Sequence, residues 1–164
     1  ASYPCATLTL SQYVAPEIAV VLRSSPERPD VIERPHERFM HPYGNATPLV
    51  FQAFWSEQQR QADRRTHPFW ESGAHPWPSL EAFEAALEAV RASGLSAPDW
   101  PGRSPMPFAA GIFDAGGTLA AVLGLSVLRE DASTADRERI SAAVLAAARE
   151  LSVWDAPQRV SRAD

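Results

Sequence analysis

The sequence lacks most of the residues from which catalytic and metal centres are usually built. Cys5 is its one cysteine, so the chain cannot form an internal disulfide. No serine stands in the GxSxG pattern of a nucleophile elbow, and the pair Gly116 and Gly117 lacks the spacing and the Lys of a phosphate-binding loop. These absences give no positive evidence for an enzyme, and the cysteine content favours a reducing cytoplasm.

Lysine and long apolar runs are also missing. All of the 15 basic residues are Arg, and 20 acidic residues bring the net charge to -5. An acidic chain is not expected to hold nucleic acid by itself, because phosphate backbones attract basic surfaces. No apolar run approaches the roughly 20 residues that a membrane span requires. We therefore expect a soluble protein with no direct contact to DNA or to a membrane.

What is present suits one folded domain. The chain has 164 residues, of which 45% are hydrophobic, enough for a single substantial core. We expect this domain to span residues 1–155 and a polar tail to occupy 156–164. The chain begins with ASYPC, without a Met or a signal peptide, so we expect that another segment precedes it.

The order of the predicted elements indicates an α+β fold with a mainly antiparallel sheet. Alternating and β-branched runs predict strands, proline and charge predict an irregular connection, and apolar spacings of three and four predict helices. In chain order we expect a hairpin (Thr7–Val14 and Glu17–Arg23), an irregular connection (Ser24–His36), a short strand, a helix (Pro48–Arg64), a second helix (Ser79–Gly94), a long hairpin (Phe108–Asp114 and Thr118–Val127) and a closing helix from Ser133.

The histidines are the obvious metal candidates, namely His36, His41, His67 and His75. His67, Glu71 and His75 would share one face of a helix, but Pro68, Gly73 and Pro76 are incompatible with a continuous helix there. We therefore expect no metal and no cofactor.

The long hairpin carries a family resemblance. Its first strand contains Ala109–Asp114 (AAGIFD), Gly117 lies in its turn, and its second strand contains Ala120–Ser126 (AAVLGLS). This pattern resembles the signature of the C-terminal effector-binding domain of isocitrate lyase regulator (IclR) transcription factors. Three further segments resemble the family in the same order: Tyr43–Phe54, Val90–Gly94 and Ile140–Leu151.

The resemblance implies a fold and a function. The fold would be GAF-like, a curved and mainly antiparallel β-sheet flanked by α-helices with a small-molecule pocket. The function would be effector binding and oligomerisation in a bacterial transcriptional regulator that forms dimers or tetramers. DNA would then be bound only by an N-terminal winged helix-turn-helix domain outside this sequence.

The resemblance also implies which residues bind the effector. The family's polar contacts correspond here to the loop Tyr43, Gly44, Asn45 and Ala46, to Asp99 and to Ser126. Pro107 stands where a Cys is usual, and Gly124 stands where a second Ser is usual. Because those donors are lost, we expect an effector that is larger or more apolar than a two- or three-carbon acid, such as an aromatic acid. Apolar side chains expected nearby are Met40, Phe51, Phe54 and Phe108.

Two other classes of function stay open at this point. The chain could be a small enzyme that uses His41, His67 or His75 as a general base. Alternatively, it could be a pure oligomerisation module with no ligand, in which the aromatic segment Phe69–Trp77 forms a protein interface.

Overall fold

The computed structural model describes residues 6–35, 42–71 and 76–153. Met40, His36, His41, His75 and the tail 156–164 lie outside the described residues, so the expectations for them stay predictions. The described strands are β1 (Thr7–Val14), β2 (Glu17–Ser25), β3 (Arg28–Glu33), β4 (Leu95–Ser96), β5 (Met106–Phe113) and β6 (Leu119–Val127). The described α-helices are α1 (Ala46–Phe54), α2 (Glu57–Thr66), α3 (Leu80–Ser93) and α4 (Thr134–Val153).

The described strands form one antiparallel sheet in the order β3-β2-β1-β6-β5-β4. Helices α1 and α3 pack on one face of the sheet around Phe51, Phe83 and Leu87, and α4 packs on the other face through Ile140 and Val144. The predicted α+β fold with a mainly antiparallel sheet is confirmed.

Both predicted hairpins are present, and the turn of the second one is encoded locally. In the β5–β6 turn, Asp114 Oδ1 accepts hydrogen bonds from the amides of Gly116 and Thr118, each at 2.9 Å. Gly117 has a φ of 79°, a conformation that L side chains rarely adopt. The predicted boundaries of this hairpin agree with the observed ones to within two residues.

The helix predicted for Pro48–Arg64 is wrong, because the structure divides it into α1 and α2. Helix α1 begins two residues earlier, with Asn45 as its N-cap. It ends before Ser56, which starts α2 with a capping box: the Ser56 amide donates to Gln59 Oε1 at 2.9 Å, and the Gln59 amide donates to Ser56 Oγ at 3.3 Å. These bonds satisfy the first amides of α2 and make a new helix start favourable at that point.

The segment Ser24–His36 is not irregular throughout, since it contains β3. This strand pairs with β2 at the edge of the sheet, where Arg23 lies opposite Glu33. An edge strand needs a partner on one side only and tolerates proline and charge, which made β3 hard to predict.

Candidate functional site

A row of residues crosses the face of the sheet on which α1 lies. Cross-strand partners place Arg23 opposite Thr9, Thr9 opposite Gly124, and Gly124 opposite Ala109. Side chains of directly paired residues lie on the same face of a sheet. Ser126 is two residues beyond Gly124 on the same strand, so it lies on this face as well. The sheet therefore presents hydroxyl groups and an Arg on one surface.

The N-terminus of α1 lies beside this row. The side chain of Asn45 accepts a hydrogen bond from the Thr47 amide at 3.5 Å and so caps the helix. Thr47 is buried, and it approaches β6 closely at Gly124. Because the first amides of a helix point outward from its end, this position carries a partial positive charge.

A cavity of about 560 Å³ lies between the sheet and the start of α1. Its size falls in the range of small-molecule sites. The residues that line it are Thr7, Thr9, Val20, Arg23, Ser25, Glu27, Arg28, Glu33, Asn45, Thr47, Pro105, Phe108, Gly124, Leu125 and Ser126. A groove of about 450 Å³ adjoins it and shares Asn45, Pro105 and Ser126 with it. We call the first of these the hydroxyl cavity.

Gly124 sets the width of the hydroxyl cavity at its floor. A Cβ atom at this position would lie 2.5 Å from Thr9 Oγ1 and 2.9 Å from Thr47 Oγ1, which is too close for either contact. The two threonine hydroxyls therefore occupy the space into which a larger side chain on β6 would project. The hydroxyl group that the sequence lacks at position 124 is replaced by two hydroxyl groups from β1 and α1.

Charged side chains border the opposite end of the hydroxyl cavity, on β2 and β3. Arg28 Nη1 donates to Glu33 Oε1 at 2.9 Å. A hydrogen bond from the side chain of Ser25 lowers the pKa of Glu27, so this exposed carboxylate stays ionised. Charge of both signs at this end contrasts with the partial positive charge at the α1 end, which is the better place for a carboxylate ligand.

Three of the candidates implied by the resemblance meet around this space. Asn45 and Ser126 line both the hydroxyl cavity and the adjoining groove, and Gly44 lines the groove. The loop before α1 and the second strand of the long hairpin are thus brought together, as the resemblance implies.

Other candidates lie in the core. Tyr43, Ala46 and Phe51 are almost fully buried in the core cluster under α1 and α3. Phe108 borders the hydroxyl cavity, but its ring belongs to the cluster under α4, where the guanidinium of Arg137 lies 5.8 Å from the ring centre. These side chains belong to the hydrophobic core.

Asp99 is engaged in ion pairs away from the hydroxyl cavity. Its Oδ1 lies 2.9 Å from Arg129 Nη2 and 3.6 Å from Arg137 Nη1. The hydrogen bond from Arg129 lowers the pKa of Asp99 below its usual value. The structure gives Asp99 a role in tying the segment after β4 to the segment after β6.

The hydroxyl cavity is also lined by residues that the sequence pattern did not indicate, among them Thr7, Thr9, Arg23 and Thr47. Their signal was available in part: once Thr7–Val14 is read as a strand paired to the long hairpin, its odd-numbered residues share a face with Gly124 and Ser126. That pairing joins residues more than a hundred positions apart in the sequence, so its register could not be predicted from local signals.

The histidine that the structure describes lies elsewhere. His67 is the C-cap of α2, and its Nδ1 is 3.2 Å from Asp63 Oδ1. Within residues 6–35, 42–71 and 76–153, no group of three His, Cys, Asp or Glu side chains is placed to hold a metal ion. In the same ranges, no helix is long and apolar enough to cross a membrane.

Comparisons with known proteins give structural neighbours only. No model of a known protein family matches the chain, and no curated protein matches it in sequence. Among solved structures, HmgR of Pseudomonas aeruginosa is 26% identical with a TM-score of 0.70, over 91% of this chain and 59% of HmgR. The C-terminal domain of the E. coli transcriptional regulator KdgR is 20% identical with a TM-score of 0.70, over 90% of this chain and 85% of that domain.

A third similar structure is the IclR transcriptional regulator from Alicyclobacillus acidocaldarius, at 20% identity and a TM-score of 0.70 over 93% of this chain. The chain spans 62% of that regulator's length, and it matches the KdgR C-terminal domain over most of that domain. The chain has the fold of the C-terminal domains of IclR-family transcriptional regulators, the family that its long hairpin resembles.

Proposed function

We propose that this chain is the effector-binding and oligomerisation domain of a bacterial IclR-type transcriptional regulator. A small organic acid binds in the hydroxyl cavity and shifts the equilibrium between conformational states of the regulator oligomer. This shift changes DNA binding by a separate N-terminal domain. The observation that carries this proposal is the cavity of about 560 Å³ between the hydroxyl row of the sheet and the start of α1. The domain works as a homodimer or a tetramer in the cytoplasm and catalyses no reaction.

The lining of the cavity favours a polar acid. Thr9, Thr47 and Ser126 supply hydroxyl groups along the floor, and the partial positive charge at the start of α1 favours a carboxylate there. The sequence favours a more apolar effector because donors are missing at Pro107 and Gly124, but Thr9 and Thr47 bring two hydroxyl groups into the space beside Gly124. We therefore propose a carboxylic acid with hydroxyl or similar polar substituents, larger than a three-carbon acid.

A thermal-shift screen tests this proposal with a panel of aromatic, short aliphatic and hydroxylated carboxylic acids. A ligand that binds the folded state raises its apparent stability by mass action. We expect a saturable shift with at least one acid, and an affinity loss of about fivefold or more when Ser126→Ala or Thr47→Val removes one hydroxyl.

Ser24→Ala is the matched control, because Ser24 is paired with Leu8 on the other face of the sheet. It is expected to leave the shift unchanged. If no acid in the panel stabilises the domain while its oligomer remains intact by light scattering, the chain is an interaction module and the proposal is wrong. Turnover of a substrate that is lost on replacing His67 would instead support the enzyme alternative.

A further inference from the structure

A second cavity lies at the other end of α1, about 180 Å³ in volume. It is bordered by the turn between β1 and β2, the end of α1 and the C-terminal half of α2. It shares no lining residue with the hydroxyl cavity. Cavities of this volume accept molecules about the size of benzene. Its lining includes Tyr13, Glu17, Trp55, Asp63 and His67.

The carboxylate of Asp63 is the unusual feature of this cavity. Its side chain is only 12% exposed. Its Oδ1 lies 3.2 Å from His67 Nδ1, but its Oδ2 is buried and has no hydrogen-bond partner among the described residues. Burial raises the pKa of Asp63, and the nearby His67 and Arg64 offset this in part. A buried acceptor without a donor costs free energy that a ligand donor would recover.

The contact with His67 does not account for this oxygen. Asp63 and His67 are four residues apart, and His67 is the C-cap of α2, so their contact is a local feature of the helix end. It engages Oδ1 alone. Oδ2 is therefore the atom that the local structure leaves for another donor.

Aromatic rings form the wall of the cavity. The rings of Tyr13 and Trp55 meet edge to face, with centroids 5.1 Å apart. Aromatic faces attract organic cations and pack well against alkyl groups.

The charges around the cavity also favour a cation. Glu17 lies at its exposed edge and Asp63 lies inside it. His67 contributes a positive charge only when it is protonated. Arg64, the residue next to Asp63, forms an ion pair with Glu84 on α3. The lining thus combines two carboxylates with apolar and aromatic walls.

We propose that this cavity binds a small organic cation, a primary alkylammonium whose N–H donates to Asp63 Oδ2 and whose alkyl group packs against Tyr13 and Trp55. The site is separate from the hydroxyl cavity and independent of the function proposed for it. A failure of acids to bind the domain would leave this second site standing, and a failure here would leave the acid site standing.

Three probes of one shape and different charge test the inference: isobutylammonium, isobutanol and isobutyrate. Each is titrated into the domain while the indole resonance of Trp55 is followed by NMR. Isobutylammonium is expected to bind saturably, and the alcohol and the carboxylate at least about tenfold more weakly, because a charged donor to a buried carboxylate is worth more than a neutral one. Equal affinity for the amine and the alcohol, or no saturable binding of the amine, overturns the proposal.

Three variants test whether the cation binds at Asp63. Asp63→Asn keeps the shape but removes the charge, and we expect it to weaken isobutylammonium by about tenfold or more. Asp131→Asn removes the same charge from an exposed position outside the cavity and should leave the affinity within about twofold. Glu17→Gln, at the exposed edge, should weaken binding about two- to threefold without affecting the fold. Unchanged affinity in Asp63→Asn overturns the proposal; if that variant does not fold, unchanged affinity in Glu17→Gln does so.

Discussion

At the residue scale, the absence of one side chain on β6 keeps the hydroxyl cavity open. We predict that Gly124→Ala abolishes effector binding and lowers the free energy of unfolding by about 1 to 3 kcal/mol, since the new Cβ would meet Thr9 and Thr47 at 2.5 and 2.9 Å. Urea denaturation gives the stability change, and the thermal shift with the best acid gives the binding change.

Two further variants isolate this steric effect. Gly124→Ala combined with Thr9→Ala removes the closest contact and should recover part of the lost stability. Gly116→Ala, in the β5–β6 turn, meets its nearest atom at 3.3 Å and should change acid binding little. Normal acid affinity in Gly124→Ala would show that the effector binds elsewhere.

Tyr43 joins the loop before α1 to the end of α2. Its hydroxyl donates to the carbonyl of His67 at 2.6 Å, and its ring packs between Phe69 and Phe83. We predict that Tyr43→Phe lowers the free energy of unfolding by about 1 to 3 kcal/mol, because the carbonyl loses a buried donor. Tyr13→Phe, on a half-buried ring, is the comparison and should cost less; urea denaturation at neutral pH measures both.

Tyr43 also makes stability depend on alkaline pH. Burial, with a smaller effect from Asp63, raises the pKa of Tyr43 to about 12, above the ordinary value of about 10. The unfolded chain therefore loses this proton first, and the contribution of Tyr43 is full below about pH 10 and is lost as pH rises to about 12. Between these pH values, the free energy of unfolding should fall more steeply with pH for the wild type than for Tyr43→Phe. Equal slopes would contradict the assignment.

At the element scale, α2 depends on its ends more than the other helices do. None of its residues is fully buried, and its start is held by the capping box of Ser56 and Gln59. We predict that Ser56→Ala raises amide hydrogen exchange in α2 by about fivefold, equivalent to about 1 kcal/mol, and leaves α3 unchanged. Exchange that rises equally in α3, which has its own cap at Ser79, would show that α2 does not open separately.

The elements that could be predicted are those whose signals are local. Asp114 and Gly117 mark the turn of the long hairpin, and Ser79 and Gly94 mark the ends of α3 within a few residues. The division of α1 from α2 had a local signal too, a serine followed three residues later by Gln59, but the apolar stripe of α1 ran up to it and favoured one helix. Strand β3 had no such signal, because its place depends on pairing with β2.

Part of the lining of the candidate site was predictable from the family resemblance, but the strand pairing that completes it was not. Asn45 and Ser126 could be identified because they stand at recognisable points of the family pattern. Thr9 could not, because its place opposite Gly124 follows from the pairing of β1 with β6. The same pairing explains why a missing side chain at position 124 did not make the cavity apolar.

At the scale of the whole molecule, α1 lies between two cavities on the same face of the sheet. The hydroxyl cavity lies at one end of α1, and the second cavity, which contains Asp63, lies at the other. Between them, hydrogen bonds hold the loop before α1: the Trp77 indole donates to the Tyr43 carbonyl at 2.8 Å, the Tyr43 hydroxyl donates to the His67 carbonyl, and the Gln52 side chain donates to the Pro42 carbonyl. Under the proposed function, a ligand in the hydroxyl cavity would contact a loop that the core already holds in place.

The most direct test of the central claim is an amide NMR spectrum of the domain titrated with an acid that stabilises it. We expect saturable shifts at Thr9, Asn45, Thr47, Gly124 and Ser126, with small changes around Asp63. Shifts that cluster elsewhere, or their absence at saturating acid, would contradict the assignment of the hydroxyl cavity as the effector site.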